Sequence, residues 1–382
     1  MRFILLFLLF VPVVGFAADA TVDFVLTGKT LTVTYTLPEG VEEVSFSDEE
    51  PEMLNEMFPQ FSKKVTDGKL VLETIERESL MRGSDSPVFS HNNGNTLIYS
   101  LRFDLSHGLR KGEVVTFDNL VYRFNGKTIH TRKLDESDSF EKYLILENAP
   151  EAILKTKHAD IILDEDLSNR DLYLSKIEKS LSYLYEKLGP PPIRPVIFFT
   201  YSSSDEAWYD GRVVMGSPVV MMAISKGMEK EEEILSVVLH HGLFSHEIAH
   251  HWNARNLKSD YSTQEDADRN SWVHEGAAEA MAYLMTKDLF SEEMGEYVSH
   301  MRQENLSLCE TPDEDSDWEY NCGDAIYSKA LDYPGVDPWK VMREILALPV
   351  AGEGPVLMTF AKYVSPEVFS EIQKIHSTYK KP

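Results

Sequence analysis

The spacing of the apolar residues changes near residue 150, and this change constrains the fold more than any other feature. Before it, short alternating runs such as residues 30–35 and 114–117 are separated by turn residues such as those at 125–126. Alternation with a period of two predicts strands with one buried face, and the frequent turns favour antiparallel pairing. We therefore expect an antiparallel β-rich domain over residues 19–150.

Beyond residue 150 the apolar residues follow a different pattern. A stripe of leucine and isoleucine over residues 172–188 predicts a helix that ends at Gly189. Apolar runs at 196–200 and 218–224 predict strands, and most of the later sequence favours helices. We expect an α+β fold, in which the antiparallel β domain precedes a domain with a small sheet and a mainly helical C-terminal part over residues 151–382.

The first residues predict an export signal. A positive start precedes an apolar run over residues 3–16, which ends at the small residues Ala17 and Ala18. This run is shorter than the roughly 20 residues that a spanning helix needs, and Pro12 interrupts it. We expect residues 1–18 to be a cleaved signal peptide, which would leave the mature protein in the periplasm or outside the cell without a membrane span. The alternative is an uncleaved membrane anchor.

Cys309 and Cys322 are the only cysteines of the chain. Disulfides are typical of exported proteins, so we expect a bond between these two residues. They lack the C-x-x-C spacing of a zinc site, which argues against a role as metal ligands.

The charge balance bears on the partners of the protein. The chain has 37 basic and 63 acidic side chains, which gives a formal net charge of −26. Such a chain is repelled by phosphate backbones. We therefore expect no nucleic-acid partner.

The residues most informative about function are His246, Glu247 and His250, which form the pattern H-E-x-x-H in a helix-favouring context. Residues four apart share one face of a helix, so both imidazoles can reach one ion. Zinc suits imidazole ligands, and a catalytic zinc site takes three protein ligands and leaves a fourth position to water. Glu247 would stand beside that water and accept its proton.

A second predicted helix supplies the remaining groups of such a site. Glu275 offers a third metal ligand, and Glu279, one turn later, is spaced to hydrogen-bond a ligating imidazole and fix its tautomer. His240, His241 and His251 flank the motif but fall on other faces of an α-helix. We expect these three to be surface or packing residues.

Two strings in this region carry a family resemblance. H-E-x-x-H-x-W-N at residues 246–253 and W-x-x-E-G-A at 272–277 resemble the gluzincin metallopeptidases, and look most like the glycyl aminopeptidase and aminopeptidase N types. The resemblance covers residues 237–285 and implies a thermolysin-like catalytic domain with one zinc ion per chain. The residue roles that it implies are zinc ligation by His246, His250 and Glu275, and general base catalysis by Glu247.

Two further segments bear on the resemblance. Residues 325–330 resemble the family's Y-x-K-G segment, with Ala330 in place of the glycine, which implies that Tyr327 donates a hydrogen bond to the oxyanion of the reaction. The run at 215–222 corresponds to the substrate-binding Gly-x-Met-Glu-Asn strand of the aminopeptidase N type but contains no acidic residue. Terminal and internal cleavage of a substrate therefore both stay open.

These features together predict an exported zinc metallopeptidase that acts on a peptide or protein substrate. One alternative is a zinc hydrolase of a non-peptide bond, which the same ion and base could serve. The other is a non-catalytic exported binding or assembly protein with a residual zinc site. Glu247 and Tyr327 argue against this last alternative, because a structural zinc site needs neither.

Overall fold

The computed structural model describes most of the chain, and its residues form two compact units. One unit is drawn from positions up to 80 and from 99 to 139, and the other from 81 to 98 and from 140 onward. The predicted signal peptide lies outside the described residues, apart from its last residue, Ala18, which begins the first strand. The described residues are 18–27, 30–46, 58, 64–73, 88–91, 93–99, 103–133, 143–213, 217–253, 264–294, 296–310, 318–349 and 352–379.

The described residues of the first unit form two β-sheets. The strands are β1 Ala18–Thr27, β2 Thr30–Thr36, β3 Glu43–Phe46, β4 Lys69–Glu73, β7 Leu105–Arg110, β8 Glu113–Val115, β9 Phe117–Phe124 and β10 Lys127–Lys133. The five-stranded sheet has the order β10-β9-β1-β2-β4, and the three-stranded sheet has the order β3-β7-β8. The strand pairs are antiparallel except for β1 and β9, which run parallel.

The alternating residues of the first unit form strands with one buried face, as predicted. Leu31, Val33 and Tyr35 of β2 are fully buried, while the threonines between them are partly exposed. The hydroxyl of Tyr35 donates to the backbone oxygen of Phe103 at 3.1 Å. The β-rich character predicted for this part of the chain is confirmed.

The second unit contains a three-stranded sheet and a mixed five-stranded sheet. The strands are β5 Val88–Ser90, β6 Thr96–Tyr99, β11 Tyr143–Leu146, β12 Leu154–Lys155, β13 Asp160–Leu163, β14 Val196–Ser202, β15 Tyr209–Val213 and β16 Val219–Ser225. The orders are β11-β6-β5 and β12-β13-β14-β16-β15. In the larger sheet β13, β14 and β16 run parallel, while β12 and β15 are antiparallel edge strands.

The remainder of the second unit is mainly helical, as predicted. The first long helix ends at Gly189, whose φ of 81° suits a residue without a Cβ atom. One run, Val238–Glu247, is a π-helix continuous with the short α-helices on either side of it. The α-helices are α1 Arg170–Leu188, α2 Glu232–Val237, α3 Ile248–Asn253, α4 Gln264–Leu289, α5 Ser291–Met294, α6 Tyr297–Glu310, α7 Trp318–Leu331, α8 Pro338–Leu346, α9 Glu353–Phe360 and α10 Pro366–Tyr379. In the described part of this unit, 3₁₀ turns lie at Pro150–Ala152 and Met228–Lys230.

A buried aromatic cluster fixes the π-helix between α1 and the larger sheet. Phe244 of the π-helix lies 5.8 Å from Tyr173 of α1 and 6.1 Å from Phe199 of β14, measured between ring centroids. All three side chains are almost completely buried. Burial of each large side chain contributes about 2 kcal/mol, so this contact holds the helix firmly against the sheet.

Two close contacts hold α7 in place. A Cβ atom on Gly276 of α4 would lie 2.6 Å from the backbone of Gly323 of α7, so the two helices cross in direct backbone contact. The predicted disulfide between Cys309 and Cys322 is present and joins α6 to α7. Disulfides persist in oxidising compartments, which is where such a chain is expected to fold.

Among the described helices, none combines the length and the apolar character needed to cross a membrane.

Candidate metal centre

Three side chains, one each from the π-helix, α3 and α4, lie close together. His246 is near the end of the π-helix and His250 is on α3, and their ring centroids are 4.5 Å apart. Nε2 of His250 lies 2.9 Å from Nε2 of His246 and 3.0 Å from Oε2 of Glu275, which belongs to α4. Nε2 of His246 lies 3.3 Å from the same Glu275 oxygen. The structure thus brings together the three residues predicted as metal ligands.

The spacing of these three atoms fits a tetrahedral metal ion. Ligands about 2.1 Å from zinc in tetrahedral geometry are roughly 3.4 Å from one another, and the observed distances of 2.9, 3.0 and 3.3 Å need only a small outward movement to reach that spacing. Two imidazoles and one carboxylate are also a donor set that zinc accepts. Within the described part of the chain, the group contains these three residues and no fourth histidine, cysteine, aspartate or glutamate. The chain therefore has a His₂Glu group that could hold a metal ion.

The histidines and carboxylates of this group shift one another's pKa values. Burial disfavours a charged imidazole, yet hydrogen bonds to Glu275 and Glu279 raise the pKa of His246 well above its usual range. Burial would raise the pKa of Glu275, but His250 and His246 lower it far below its usual range. The carboxylate is therefore ionised near neutral pH, which is the form that binds a metal ion.

Glu279 contacts the second ring nitrogen of His246 and so orients this imidazole, as the spacing in the sequence predicts. Its Oε2 atom lies 2.9 Å from Nδ1 of His246. Burial opposes the charge of this carboxylate, but His241 and His246 lower the pKa of Glu279 well below its usual range. An ionised carboxylate can only accept, so Nδ1 of His246 carries a proton, which leaves Nε2 as the atom that a metal ion would use.

Glu247 lies beside the triad, against the edge strand β15. A Cβ atom on Gly211 of this strand would lie 2.3 Å from Cγ of Glu247 and 2.4 Å from its Cδ. A larger residue at this position would therefore force Glu247 or the strand to move. Burial raises the pKa of Glu247, which makes the carboxylate a stronger proton acceptor.

The tryptophan and asparagine that follow the motif tie the end of α3 to its neighbours. Nε1 of Trp252 donates to the backbone oxygen of Gly189, at the end of α1, at 2.9 Å. Nδ2 of Asn253 donates to the backbone oxygen of His274, next to Glu275, at 2.7 Å. These two bonds set the position of α3 relative to α1 and α4, and hence the distance between His250 and Glu275.

The structure places Tyr327 in the hydrophobic core. Its side chain is fully buried, and its hydroxyl donates to the backbone oxygen of Val273 at 3.1 Å. Burial raises the pKa of Tyr327 above its usual range. A hydroxyl in this environment contributes to packing, so the arrangement does not favour the oxyanion role predicted for Tyr327.

A different tyrosine of the same helix lies next to a ligand. The ring of Tyr320 is 5.3 Å from the ring of His246, and the side chain is only half-buried. Tyr320 is followed at the third position by Gly323, the spacing of tyrosine and glycine in the Y-x-K-G pattern. This glycine is the signal in the sequence that could have identified Tyr320.

The strand that borders the site also differs from the expected one. The run at 215–222 corresponds to the substrate-binding strand in the sequence, but its residues 219–222 belong to β16, which is paired with β14 on one side and β15 on the other. The strand next to Glu247 is β15, the edge strand. It carries Asp210, which is paired with Arg212 at 3.1 Å.

The neighbouring histidines divide into two groups. Nδ1 of His240 contacts the backbone oxygen of Ser236, and Nε2 of His251 contacts that of Ile193, so both pack as expected. His241 instead reaches Glu279, with its Nε2 atom 2.8 Å from Oε1. His241 is buried, as a packing residue would be, but the π-helix also brings it to the carboxylate that contacts His246.

Comparison with known proteins adds no family assignment. No protein-family model matches the chain, and no curated protein matches it. The His₂Glu group and the residues around it are therefore the features that bear on the function of this chain.

Proposed function

We propose that this chain is an exported zinc-dependent metallopeptidase of the gluzincin type. The observation that carries the proposal is the convergence of His246, His250 and Glu275 at the spacing of a tetrahedral ion, with Glu247 beside them. A zinc ion bound there would supply Lewis acidity, polarising a carbonyl group and lowering the pKa of water.

The side chains around the group have distinct roles in this proposal. Glu247 accepts a proton from the attacking water and delivers it to the leaving amine, a task that its raised pKa favours. Glu279 keeps His246 in the tautomer that binds metal. We assign the donation of a hydrogen bond to the oxyanion to Tyr320 instead of Tyr327, because Tyr320 is the tyrosine next to a ligand.

Hydrolysis of a peptide bond is favoured over other bonds by the position of β15. An edge strand has backbone groups that an extended peptide can pair with, as in recognition by strand addition. Gly211 of this strand contacts Glu247, so a peptide paired with β15 passes next to the general base. The pairing of Asp210 with Arg212 partly neutralises an acidic group that could otherwise bind a substrate amino terminus.

Two observations support export. The Cys309–Cys322 disulfide is characteristic of an oxidising compartment. The N-terminal apolar run has the length of a signal peptide. We propose that the mature enzyme acts in the periplasm or outside the cell.

A pair of variants tests the proposed function. Glu247→Gln should keep about one zinc per chain and lose cleavage of a mixed peptide library, since Glu247 is the base and not a ligand. His250→Ala should lose both the zinc and the cleavage. Mass spectrometry of the library would identify the new termini and so distinguish internal from terminal attack.

Retention of cleavage by Glu247→Gln would contradict the mechanism. Zinc binding without cleavage of any peptide, but with turnover of an ester or epoxide, would instead identify a hydrolase of a non-peptide bond. Zinc binding with no hydrolysis of any of these substrates would favour the non-catalytic protein.

A further inference from the structure

Glu279 contacts two imidazoles, and only one of them belongs to the metal centre. Its Oε2 atom lies 2.9 Å from Nδ1 of His246, while its Oε1 atom lies 2.8 Å from Nε2 of His241. His241 and Glu279 are each less than 10% exposed. One buried carboxylate therefore uses one oxygen for the ligand and the other for a histidine that the metal centre does not need as a ligand.

The π-helix explains how His241 reaches this carboxylate. In an α-helix, residues five apart differ by about 140° in direction, so His241 would face away from Glu279. The π-helix hydrogen-bonds from residue i to residue i+5, and its wider turn brings residues five apart to the same side. The run Val238–Glu247 has this geometry and includes both His241 and His246.

The other ring nitrogen of His241 also has a hydrogen-bonding partner. Its Nδ1 atom lies 3.2 Å from Oγ1 of Thr286, two turns after Glu279 on α4. That hydroxyl is 3.3 Å from Oγ of Ser245, which donates to the backbone oxygen of His240 at 2.6 Å. The ring of His241 therefore has a fixed orientation, with Nε2 directed at Glu279.

We propose that His241 is a positioning residue for the metal centre, and this inference rests on the proposed function. A glutamate carboxylate that accepts a hydrogen bond on only one oxygen can rotate about its Cγ–Cδ bond. Hydrogen bonds donated to both oxygens fix the plane of the carboxylate. By fixing Glu279, His241 fixes the direction in which Nε2 of His246 points. Outer partners of this kind orient ligands and tune the affinity of a site for its metal.

The test is a zinc-affinity measurement on the full-length mature protein, by competition with a chromophoric chelator. His241→Leu removes the donor, and we expect zinc to bind about tenfold more weakly, at the lower end of the range for outer partners. His241→Gln can present an amide N–H near the position of Nε2, and we expect it to restore most of the affinity. His240→Gln is the matched control, because the side chain of His240 contacts Ser236 and not Glu279, and it should bind zinc as the unaltered protein does.

Two further measurements test the role of His241 if His241→Leu folds poorly. Thr286→Val is nearly isosteric and removes only the group that holds Nδ1, so it should weaken zinc binding by a smaller factor. The d–d spectrum of bound Co²⁺ reports ligand geometry directly, and it should change in His241→Leu but not in His240→Gln. Circular dichroism of each variant would check that the helices are retained.

Each outcome distinguishes the inference from the function on which it rests. Equal zinc affinity and equal Co²⁺ spectra for His241→Leu and the unaltered protein would overturn the role of His241 while leaving the metal centre intact. Weak binding by His241→Gln to the same degree as His241→Leu would also overturn it. An unaltered protein that binds zinc but cleaves nothing would overturn the proposed function and not the role of His241, whereas one that binds no metal would overturn both.

Discussion

Substitution of Gly211 by alanine should displace the general base without touching a metal ligand. The new Cβ atom would lie 2.3 Å from Cγ of Glu247, whereas carbon atoms in contact are normally about 3.5 Å apart. Glu247 or the strand must therefore move by about 1 Å. A misplacement of this size can lower the rate of a reaction about 100-fold, which corresponds to about 2.7 kcal/mol in the activation free energy.

The assay is steady-state hydrolysis of a peptide that the unaltered protein cleaves, with the zinc content of each sample measured in parallel. We expect Gly211→Ala to keep its zinc and to lose about 100-fold in kcat/KM. Gly242→Ala is the matched control, because a Cβ atom there would meet only the ring of Tyr209, at 3.9 Å. It should retain most of the activity.

Full activity of Gly211→Ala would refute the reasoning, because it would mean that the position of Glu247 against β15 is irrelevant to the reaction. Loss of zinc from Gly211→Ala would refute it in another way. It would show that the strand supports the ligands as well as the base.

Three other predictions follow from single contacts. Tyr320→Phe should lower kcat by about 100-fold, in line with loss of an oxyanion donor. Tyr327→Phe should keep the rate but lower the free energy of unfolding by about 1 kcal/mol, because a buried hydrogen bond is removed. Kinetics and denaturant titrations of both variants would check these two effects. Replacement of Cys309 and Cys322 by serine should lower the free energy of unfolding by about 3 kcal/mol, as expected for a short loop released in the unfolded chain, and urea titration without reductant measures it. Burial raises the pKa of Asp104 to about 8, so between about pH 5 and pH 7 the native state keeps a proton that the unfolded chain releases, and the free energy of unfolding should fall by about 1.4 kcal/mol per pH unit. Asp104→Asn should remove this contribution to the pH dependence of the free energy of unfolding. An unchanged pH dependence would contradict the raised pKa of Asp104.

The sequence predicts those parts of the fold that depend on local periodicity. Residues 30–35 alternate because one face of β2 is buried, and the stripe over residues 172–188 becomes α1, which ends at Gly189. The pairing of His246 with His250 is also local, since four residues span one turn of helix. These features required no knowledge of the tertiary structure.

The residues that were missed depend on contacts between distant segments. Gly211 matters only because β15 lies against Glu247, and nothing in its neighbourhood in the sequence indicates this contact. His241 was missed because the period of a π-helix cannot be recognised from apolar spacing over so short a run.

The choice between two tyrosines shows the same limit. Tyr320 and Tyr327 are seven residues apart on α7, so they share one face of the helix and satisfy the same pattern of tyrosine and small residue. The backbone contact between Gly276 and Gly323 decides which turn of α7 lies over the ligands. That crossing brings Tyr320 to His246 and leaves Tyr327 in the core.

Metal analysis of the purified mature protein, combined with digestion of a diverse peptide mixture with and without chelator, tests the central claim most directly. The His₂Glu group predicts about one zinc per chain and cleavage that stops when the metal is removed and returns when zinc is restored. Absence of bound zinc after purification under metal-replete conditions would contradict the account.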